Sequence, residues 1–451
     1  MRNGDVSFWW NQIGVPQPRP ALPGDIDVDV CIVGGGFTGL WTAYYLRLLD
    51  PSMRIAVVEA RFAGFGASGR NGGWLTNSVT GGRERYGREG GIRQQAALND
   101  AVDEVIRIAD AEGIDADIVK GGELNVAYND AQLERMRAFA TAEAEWPGAD
   151  VAVLSPAETS ARVGVASPRG AVWHPHCARV HPAKLVRGLA AAVERAGAVI
   201  YEHTRALSIS PGRVVTDRGV VRADHVIRAT EGFTANLRGE HRTWLPMNSS
   251  LIVTEPLPAA VWDAVGWPHA DTLGDLAHVY TYAQRTADGR IAFGGRGIPY
   301  RYGSRVDSDG RTQERTVAGL TKLLHTAFPA AAEVPIAHAW SGVLGVPRDW
   351  AATVGYDRVT GLGWAGGYVG TGVTTTNLAG RTLADLVLGR DSDLVSLPWV
   401  GHRARKWEFE PLRWLAVNAI YAAYGVADRQ EARGGSRTSP VARVADLISG
   451  H

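Results

Sequence analysis

The chain has 451 residues, of which 45% are hydrophobic and 21% charged, a globular composition too long for one ordinary core. Lys+Arg and Asp+Glu both number 47, so the formal net charge is zero and no general affinity for nucleic acid or anionic lipid is predicted. Two cysteines, Cys31 and Cys177, cannot build a disulfide framework or a CxxC site, which excludes thiol redox chemistry.

The N-terminal residues 1–5 lack the basic-then-apolar layout of a signal peptide. A membrane span needs about 18 apolar residues in a row, and no such run is present. We therefore expect a cytoplasmic protein without a transmembrane segment.

Residues 1–27 are rich in proline and are expected to form an irregular lead-in. The aromatic residues expected to dock it onto the body are Phe8, Trp9 and Trp10. A βαβ unit is predicted next, with a strand at 28–33, a helix at 37–49 and a strand at 54–59. Continuous apolar strands that alternate with a helix indicate a parallel sheet buried on both faces.

Later elements change in character along the chain. Helices are predicted at 94–112, 131–146 and 182–197 from the helical spacing of apolar residues. Gly197 marks the end of the last of these helices. Strands are predicted at 198–203 and 220–229, with a hairpin around Pro211 and Gly212 between them. From 236 to 340, alternating stretches bounded by Pro, Asp and Gly indicate an antiparallel sheet, at 251–253, 279–282 and 290–293.

The last regular segment, 361–389, returns to strand, glycine loop and helix. The predicted fold is therefore α/β, with a Rossmann-type dinucleotide-binding domain interleaved with an α+β substrate domain built on an antiparallel sheet. The predicted bounds are 1–27 for the lead-in, 28–93, 150–235 and 340–400 for the dinucleotide domain, 94–149 and 236–339 for the substrate domain, and 401–451 for a C-terminal helical extension.

Gly34, Gly36 and Gly39 form a GxGxxG motif between a strand and a helix, and Glu59 ends the following strand. Gly34 permits the tight turn, Gly36 lets the backbone approach a pyrophosphate, and Gly39 lets the helix pack closely on the strand. The helix N-terminus supplies amide donors and a positive dipole end. Glu59 can accept hydrogen bonds from both ribose hydroxyls and would repel the 2′-phosphate of NADP.

Two further glycine-rich segments distinguish FAD from NAD. Residues 66–73 follow the second strand, and with Arg70 and Asn71 they can wrap a second part of a long cofactor. Residues 366–373 precede the predicted helix 374–388, whose free amides suit a flavin carbonyl that becomes anionic on reduction. Two such loops at opposite ends of the chain favour an extended FAD over NAD.

Together these segments resemble the superfamily of FAD-dependent D-amino-acid oxidases, glycine oxidases and sarcosine oxidases, and within it the gamma-glutamylputrescine oxidoreductase-like branch. The resemblance covers about residues 28–400 and depends on the segments GGGFTG, VVEA, GASGRNGG, ARVHPAKLV, VIRATEG, DGRIAFGG and GGYVGTGV in this order. Neither 66–73 nor 366–373 contains the Cys or His that the family uses for covalent flavin attachment, so non-covalent FAD is expected.

The resemblance also implies roles for individual residues. Glu59 would hold the adenosine ribose, the backbone near Ala206 would meet adenine, and the turn Ala229–Thr230 would flank the pyrophosphate. The 66–73 loop would line the flavin and 367–373 would face its pyrimidine end, where Thr371 replaces a histidine common in the family. The predicted cofactor-binding residues are Gly34, Gly36, Phe37, Thr38, Gly39, Glu59, Ala60, Arg61, Gly66, Ala67, Ser68, Gly69, Arg70, Asn71, Gly72, Gly73, Ala206, Ala229, Thr230, Gly367, Tyr368, Val369, Gly370, Thr371, Gly372 and Val373.

The implied reaction is oxidation of a C–N bond in a small amine or amino acid. Hydride would pass to flavin N5, and the imine would be hydrolysed to a carbonyl, so no separate catalytic acid or base is predicted. Oxygen is the expected electron acceptor, giving hydrogen peroxide. Two alternatives remain open: a dehydrogenase that passes electrons to a quinone or carrier, and a flavin-bearing subunit of a complex without its own substrate site. The oligomeric state is left open.

Substrate contacts are expected where the second sheet meets the flavin loops. Tyr280 and Tyr282 share one face of a predicted strand. Arg296 and Arg348 can each bind a carboxylate or phosphonate bidentately, and a surface or interdomain ion pair is the alternative for each arginine. Aromatic candidates for a cation–π wall around the amine are Trp74, Trp340, Trp350 and Tyr368.

Two further features have less specific interpretations. The twelve histidines show no metal-ligand spacing, and His174, His176 and His181 are given structural roles, so no metal site is expected. Residues 403–426 are aromatic and basic, with a helix after Pro411. A helix packed on the body or on a second subunit is favoured, and a peripheral membrane foot is the alternative.

Overall fold

The computed structural model describes residues 1–297, 299–306 and 309–449. Nineteen strands are found in this part of the chain, most of them in two large sheets. The strands are β1 (Arg2–Asn3), β2 (Ile26–Val33), β3 (Ile55–Val58), β4 (Trp74–Thr76), β5 (Glu123–Ala127), β6 (Ala152–Leu154), β7 (Gly170–His174), β8 (Cys177–Arg179), β9 (Val199–Tyr201), β10 (Ala206–Ser210), β11 (Arg213–Thr216), β12 (Val220–Arg228), β13 (Leu245–Thr254), β14 (Thr272–Asp275), β15 (Thr281–Arg285), β16 (Ile291–Gly295), β17 (Ile336–Val346), β18 (Thr353–Asp357) and β19 (Leu362–Gly366).

The helices cover the sheets. They are α1 (Phe8–Ile13), α2 (Phe37–Leu49), α3 (Gly87–Ala111), α4 (Asp130–Glu143), α5 (Pro156–Arg162), α6 (Pro182–Arg195), α7 (Ala259–Val265), α8 (Glu314–Ala327), α9 (Gly372–Leu388), α10 (Leu412–Ala432) and α11 (Pro440–Ser449). No helix in the described ranges is both long enough and apolar enough to cross a bilayer.

The first sheet has eight strands. Six of them lie side by side in the order β10-β11-β12-β2-β3-β9, β19 also pairs with β12, and β18 pairs with β19. Strands β12, β2, β3 and β9 run parallel, and β19 lies parallel to β12. Every residue of β3 is buried, as expected for a parallel strand covered on both faces. The predicted Rossmann-type sheet is confirmed.

The second sheet has nine strands in the order β1-β17-β13-β16-β15-β14-β5-β7-β6. Its pairings are antiparallel except for β1 with β17 and β14 with β5. The predicted antiparallel sheet is therefore present, and it extends over β5, β6 and β7, which precede residue 236. The domain boundaries drawn from the sequence stay a prediction.

The prediction of an irregular lead-in is wrong for residues 1–13. Strand β1 pairs with β17, with Arg2 opposite His338, and α1 follows it. The Ser7 hydroxyl accepts from the amide of Trp10 at 3.3 Å and donates to the carbonyl of Gly69 at 2.7 Å, so it starts the helix and ties it to the 66–73 loop. The predicted docking residues, Phe8, Trp9 and Trp10, are all buried.

The C-terminal extension packs on the body, as favoured. Helix α10 begins at Leu412 and buries Val417, Tyr424 and Ala427. Helix α11 packs against α10 through the buried side chains of Ala442 and Ala445. Other predicted elements are confirmed in type and differ at their ends, as in α3, which begins at Gly87 and not at residue 94.

Candidate flavin and substrate site

The glycine turn after β2 has no room for side chains. Gly34 has φ +115°, and a Cβ added there would lie 2.4 Å from the carbonyl oxygen of Ala229. A Cβ on Gly39 would lie 2.0 Å from the carbonyl oxygen of Gly34. A Cβ on Gly36 would lie 2.9 Å from Oγ of Ser68. Gly34 and Gly39 thus let strand, turn and helix meet where only backbone fits, while Gly36 keeps the space beside Ser68 free of a side chain.

Glu59 directly follows β3 and lies beside this turn. Its carboxylate accepts hydrogen bonds from the amides of Gly35 at 2.8 Å and Arg61 at 2.9 Å. Burial raises the pKa of Glu59, and the amide bonds oppose that shift. An acceptor at this place is suited to the ribose hydroxyls of a dinucleotide, and the ribose role of Glu59 stays a prediction.

A cavity of about 620 Å³ runs from the glycine turn to the N-terminus of α9. Its walls join the Rossmann turn, the 66–73 loop and the 366–373 loop, an arrangement that fits an extended dinucleotide. The predicted cofactor residues that line this cofactor cavity are Gly34, Gly36, Phe37, Thr38, Glu59, Ala60, Arg61, Gly66, Ala67, Ser68, Asn71, Ala206, Ala229, Thr230, Tyr368, Gly370, Gly372 and Val373.

Four predicted glycines shape the loops by packing. Besides Gly39, a Cβ on Gly69 would meet the Trp10 indole at 2.2 Å, one on Gly73 the Gln284 amide at 2.0 Å, and one on Gly367 the ring of Pro347 at 2.5 Å. Arg70 is also structural, since its Nε donates to the carbonyl of Phe65 at 2.7 Å. The predicted residues Arg70, Gly72, Val369 and Thr371 line a second cavity beside the cofactor cavity.

Glu231 lines the cofactor cavity and was missed by the sequence analysis. Its carboxylate accepts from the amides of Gly367 and Tyr368, each at 3.0 Å, and from the amide of Gly345. Burial raises the pKa of Glu231 to about 7, against the lowering effect of these amides. The residue thus ties β17 to the loop that begins α9. Its place inside the VIRATEG segment was the available signal.

The second cavity, which we call the inner chamber, has a volume of about 440 Å³. The residues that it shares with the cofactor cavity are Ala67, Asn71, Leu344, Gly370 and Val373. Its other wall is the nine-stranded sheet, where Leu251, Gly294, Tyr282, Gly274 and Asn125 lie in one row across neighbouring strands.

The two glycines of this row leave space for the neighbouring side chains on this face of the sheet. A Cβ on Gly294 would lie 2.3 Å from the Tyr282 ring, and one on Gly274 would lie 2.2 Å from Oδ1 of Asn125. The Tyr282 hydroxyl is held at 2.9 Å from that of Ser249, and the Trp74 ring stands edge-on to Tyr282 at 6.1 Å. The inner chamber therefore has a fixed aromatic wall.

Two carboxyl groups face the inner chamber, the buried Glu123 and the half-buried Asp275. Glu123 accepts from Thr76 at 2.6 Å and from Asn125 at 2.9 Å, and Nε2 of His174 lies 3.5 Å away. Burial alone would raise the pKa of Glu123, but His174 and these donors hold it below its usual value. Burial raises the pKa of Asp275 to about 6, although Thr281 donates to it. Glu123 is thus an anion at neutral pH.

The residues predicted to contact the substrate lie in different cavities of the structure. Trp74 and Tyr282 line the inner chamber, and Tyr280 and Arg296 line both it and a third cavity further out, which also contains Trp350 and Arg348. The Tyr368 hydroxyl lies 3.0 Å from that of Thr38, inside the cofactor cavity.

Two of these candidates make structural contacts. Trp340 is fully buried, donates from Nε1 to the carbonyl of Arg70 at 2.8 Å and packs against Phe8 and Trp9. It is a core residue because β17 turns it toward the N-terminal helix. Nε of Arg348 donates to Glu408 at 3.1 Å, so this arginine forms the ion pair that was its alternative role.

Two of the three histidines given structural roles, His176 and His181, have them. His181 caps α6 by accepting from the amide of Lys184 at 3.2 Å, and His176 pairs with Asp150 at 2.7 Å. Within the described residues, His278, Asp428 and Glu431 place potential metal-ligand atoms within 4.8 Å of one another.

That cluster is already fully engaged. Glu431 pairs with Arg135 at 2.8 Å, and Asp428 accepts from the backbone amides of His278 and Val279 at 2.9 and 3.0 Å. We interpret these contacts as a clamp that fixes α10 against the loop leading to Tyr280.

A family model described as FAD dependent oxidoreductase matches residues 29–386. The chain is 32% identical over 430 residues to gamma-glutamylputrescine oxidoreductase of Escherichia coli (strain K12), covering 91% of this chain and 95% of that protein. It is 30% identical over 412 residues to a probable oxidoreductase OrdL of Rhizobium meliloti (strain 1021), covering 86% and 90% of the two chains.

Among solved structures, glycine oxidase from Geobacillus kaustophilus matches with a TM-score of 0.69 at 22% identity, covering 83% of this chain and 99% of that one. This likeness supports the fold, and the resemblance predicted from the sequence motifs is confirmed. The cofactor is FAD. The chain belongs to the family of FAD dependent oxidoreductases.

Proposed function

We propose that the protein oxidises a C–N bond in an amine or amino acid to an imine, which water hydrolyses to a carbonyl. The observation that carries this proposal is the inner chamber, which shares a wall with the cofactor cavity and carries aromatic rings and a buried carboxylate on its other side. The names of the relatives, gamma-glutamylputrescine oxidoreductase and glycine oxidase, point to the same substrate class.

When bound, FAD supplies the hydride acceptor, and the protein supplies binding and orientation. The carboxylate of Glu59 and the amides at the start of α2 would hold the ribose and the pyrophosphate, without a covalent bond. The 66–73 loop and the N-terminus of α9 would hold the flavin ring. These groups fit because they line one continuous cavity.

On the substrate side, Trp74 and Tyr282 provide ring faces for a cationic amine. The Glu123 carboxylate attracts the ammonium form and raises the pKa of the bound amine. Hydride leaves the α-carbon only after the nitrogen has lost its proton. The rate of oxidation should therefore rise with pH until the bound amine is fully neutral.

For the electron acceptor we propose oxygen, with hydrogen peroxide as the product. A quinone or carrier is the alternative. A flavin-bearing subunit without its own substrate site is disfavoured by the inner chamber, because such a subunit would need no walled space beside the cofactor.

The reaction can be tested by anaerobic bleaching of the bound flavin. We expect at least one of gamma-glutamylputrescine, putrescine, glycine, sarcosine or benzylamine to bleach it, at a rate that increases with pH. Admitting air should then restore the colour and release hydrogen peroxide. Fast reduction by NADH or NADPH, with no bleaching by any amine, would contradict the proposal. Slow recovery in air but fast recovery with a quinone analogue would favour the dehydrogenase.

Replacing Glu59 with alanine should weaken FAD binding by about 10- to 100-fold, because a hydrogen bond to a charged group contributes about 1.5–3 kcal/mol. The Kd is measured by quenching of flavin fluorescence on the apoprotein. Glu59→Gln keeps the size of the side chain and one acceptor oxygen, so its Kd for FAD should lie between those of the wild type and Glu59→Ala. An unchanged Kd in Glu59→Ala would mean that Glu59 only orders the turn through Gly35 and Arg61.

A further inference from the structure

Helix α10 is apolar on the face that it turns to solvent. Its other face packs on the body through Val417, Tyr424 and Ala427. Leu412 is 65% exposed and Leu415 is 51% exposed, and the segment 414–427 contains no charged residue. The exposed residues that recur at helical spacing, which we call the apolar stripe, are Leu412, Leu415, Ala416, Ala419, Ala422 and Val426. A surface helix normally exposes charged and polar residues, so the stripe indicates a contact with an apolar partner.

Basic side chains lie near both ends of the apolar stripe. Residues 401–449 carry eight basic and five acidic residues, in a chain that is neutral as a whole. Seven of the eight basic residues are exposed, whereas all five acidic residues are half-buried or buried. The exposed basic residues near the two ends of α10 are Arg403, Arg405, Lys406, Arg429 and Arg433. The surface at both ends of the stripe is therefore cationic.

The acidic residues of this segment are engaged by contacts within the fold. Glu410 pairs with the buried Arg413 at 3.1 Å, and two more acidic residues belong to the clamp that fixes α10. Glu408 pairs with Arg348 at 3.1 Å and also lies 3.3 Å from the exposed Arg405. The acidic residues thus do little to offset the positive charge that this segment presents to solvent.

The third cavity opens on the same surface. It has a volume of about 680 Å³, and we call it the outer chamber. Leu412 and Ala416 belong both to its lining and to the apolar stripe, and Tyr368 and Val369 line its inner end. The stripe therefore borders the mouth of a space that leads to the 366–373 loop.

We propose that the apolar stripe and its basic ends form a docking surface for an anionic lipid bilayer. Helix α10 lies in the plane of the lipid headgroups, with Leu412 and Leu415 among the acyl chains and the basic residues at the phosphates. The mouth of the outer chamber then faces the bilayer. A second copy of the chain fits less well, because two stripes packed along each other in either direction bring cationic ends together. This inference goes beyond the proposed reaction and does not depend on it.

The apolar part is tested by sedimenting the FAD-loaded protein with vesicles of phosphatidylcholine and phosphatidylglycerol, and with vesicles of phosphatidylcholine alone. The anionic vesicles should bind about 10-fold more tightly or better, and about 0.5 M NaCl should remove this preference. Leu415→Glu should weaken binding by about 10-fold or more. Leu323→Glu on α8 is the matched control, since Leu323 is 47% exposed, and it should change nothing. FAD content confirms that both variants are folded. No binding to either vesicle, or equal losses in the two variants, would overturn the docking surface.

The cationic part is tested by removing two charges from one end of the stripe. Arg429→Gln combined with Arg433→Gln should weaken binding to the anionic vesicles by about 25-fold, about fivefold for each basic residue near such a surface. Arg213→Gln combined with Arg358→Gln removes the same charge from exposed positions elsewhere and should change binding by less than about twofold. Equal losses in the two double variants would mean that net charge alone drives binding, and the assignment to α10 would be wrong.

A fluorescent reporter locates the contact. Both native cysteines are buried, so Ala419→Cys offers one exposed thiol for an environment-sensitive dye. Its emission should shift to the blue on addition of anionic vesicles, and that of a dye on Leu323→Cys should not. Binding without a shift at position 419 would overturn the proposal. So would a wild type that ignores vesicles but forms an oligomer that Leu415→Glu dissociates, because the stripe would then join two copies. None of these measurements needs turnover, so failure of the amine panel would leave the docking surface standing.

Discussion

Replacing Gly36 with valine is expected to give a folded protein that purifies with little or no FAD. The backbone at Gly36 has φ −85°, which any residue adopts, so the substitution adds no backbone strain. Its new side chain would meet Oγ of Ser68 at 2.9 Å and project into the cofactor cavity that Gly36 lines. That Ser68 oxygen accepts from the amide of Phe37 at 2.8 Å and cannot easily move away.

The measurement is the ratio of flavin to protein absorbance, together with the FAD Kd of the apoprotein and its melting temperature. Gly319→Val is the matched control, because a Cβ on Gly319 in α8 meets nothing within 4 Å. It should retain full FAD. A Gly36→Val protein with stoichiometric FAD would contradict the placement of the pyrophosphate beside this turn, whereas an unfolded one would show that Ser68 cannot yield at all.

The sequence was sufficient for the parts of the molecule that are encoded locally. The parallel strand β2, the glycine turn and helix α2 follow one another within a few residues, so hydrophobic periodicity and motif spacing specify them. The 66–73 and 366–373 loops were also found, because each is a dense run of glycines next to a regular element. The structure then joins them into one cavity.

Contacts between distant segments were not predictable in this way. Strand β1 has only two residues and exists because it pairs with β17, more than 300 positions later. Trp340 was considered for the substrate wall, yet only the pleat of β17 and the position of α1 decide that it faces the core. Arg348 has the residue type of an anion ligand, but Glu408 lies beside it in the fold.

Glu231 is the clearest omission, and its replacement by glutamine should have a large effect. The carboxylate accepts from three backbone amides on two segments, and the residue itself has φ +42°, a strained value for a side chain other than glycine. An amide side chain has one acceptor oxygen, and its NH2 group would face a donor. We expect a loss of about 2–4 kcal/mol in the free energy of unfolding at pH 5, where both oxygens of the protonated carboxyl group can still accept from the amides, and weaker FAD binding because the loop before α9 is released.

Chemical unfolding of the FAD-loaded protein at pH 5 measures the first effect, and fluorescence quenching measures the second. Glu314→Gln is the control, since Glu314 is exposed at the start of α8. It should leave both quantities unchanged. A Glu231→Gln protein with wild-type stability and FAD affinity would show that the three amides find other acceptors, and that the carboxylate does not hold the loop.

The same carboxyl group should leave a signature in the pH dependence of stability. Its pKa is raised from a usual value of 4.5 to about 7 in the folded protein, because burial disfavours the anion. A group with a raised folded pKa contributes stability fully below its unfolded pKa, and this contribution is lost as the pH rises through the folded pKa. The wild type should therefore lose on the order of 3 kcal/mol more than Glu231→Gln between pH 4.5 and pH 8. Parallel pH profiles for the two proteins would mean that Glu231 is already ionised in the fold at low pH, with its three amide donors outweighing the effect of burial.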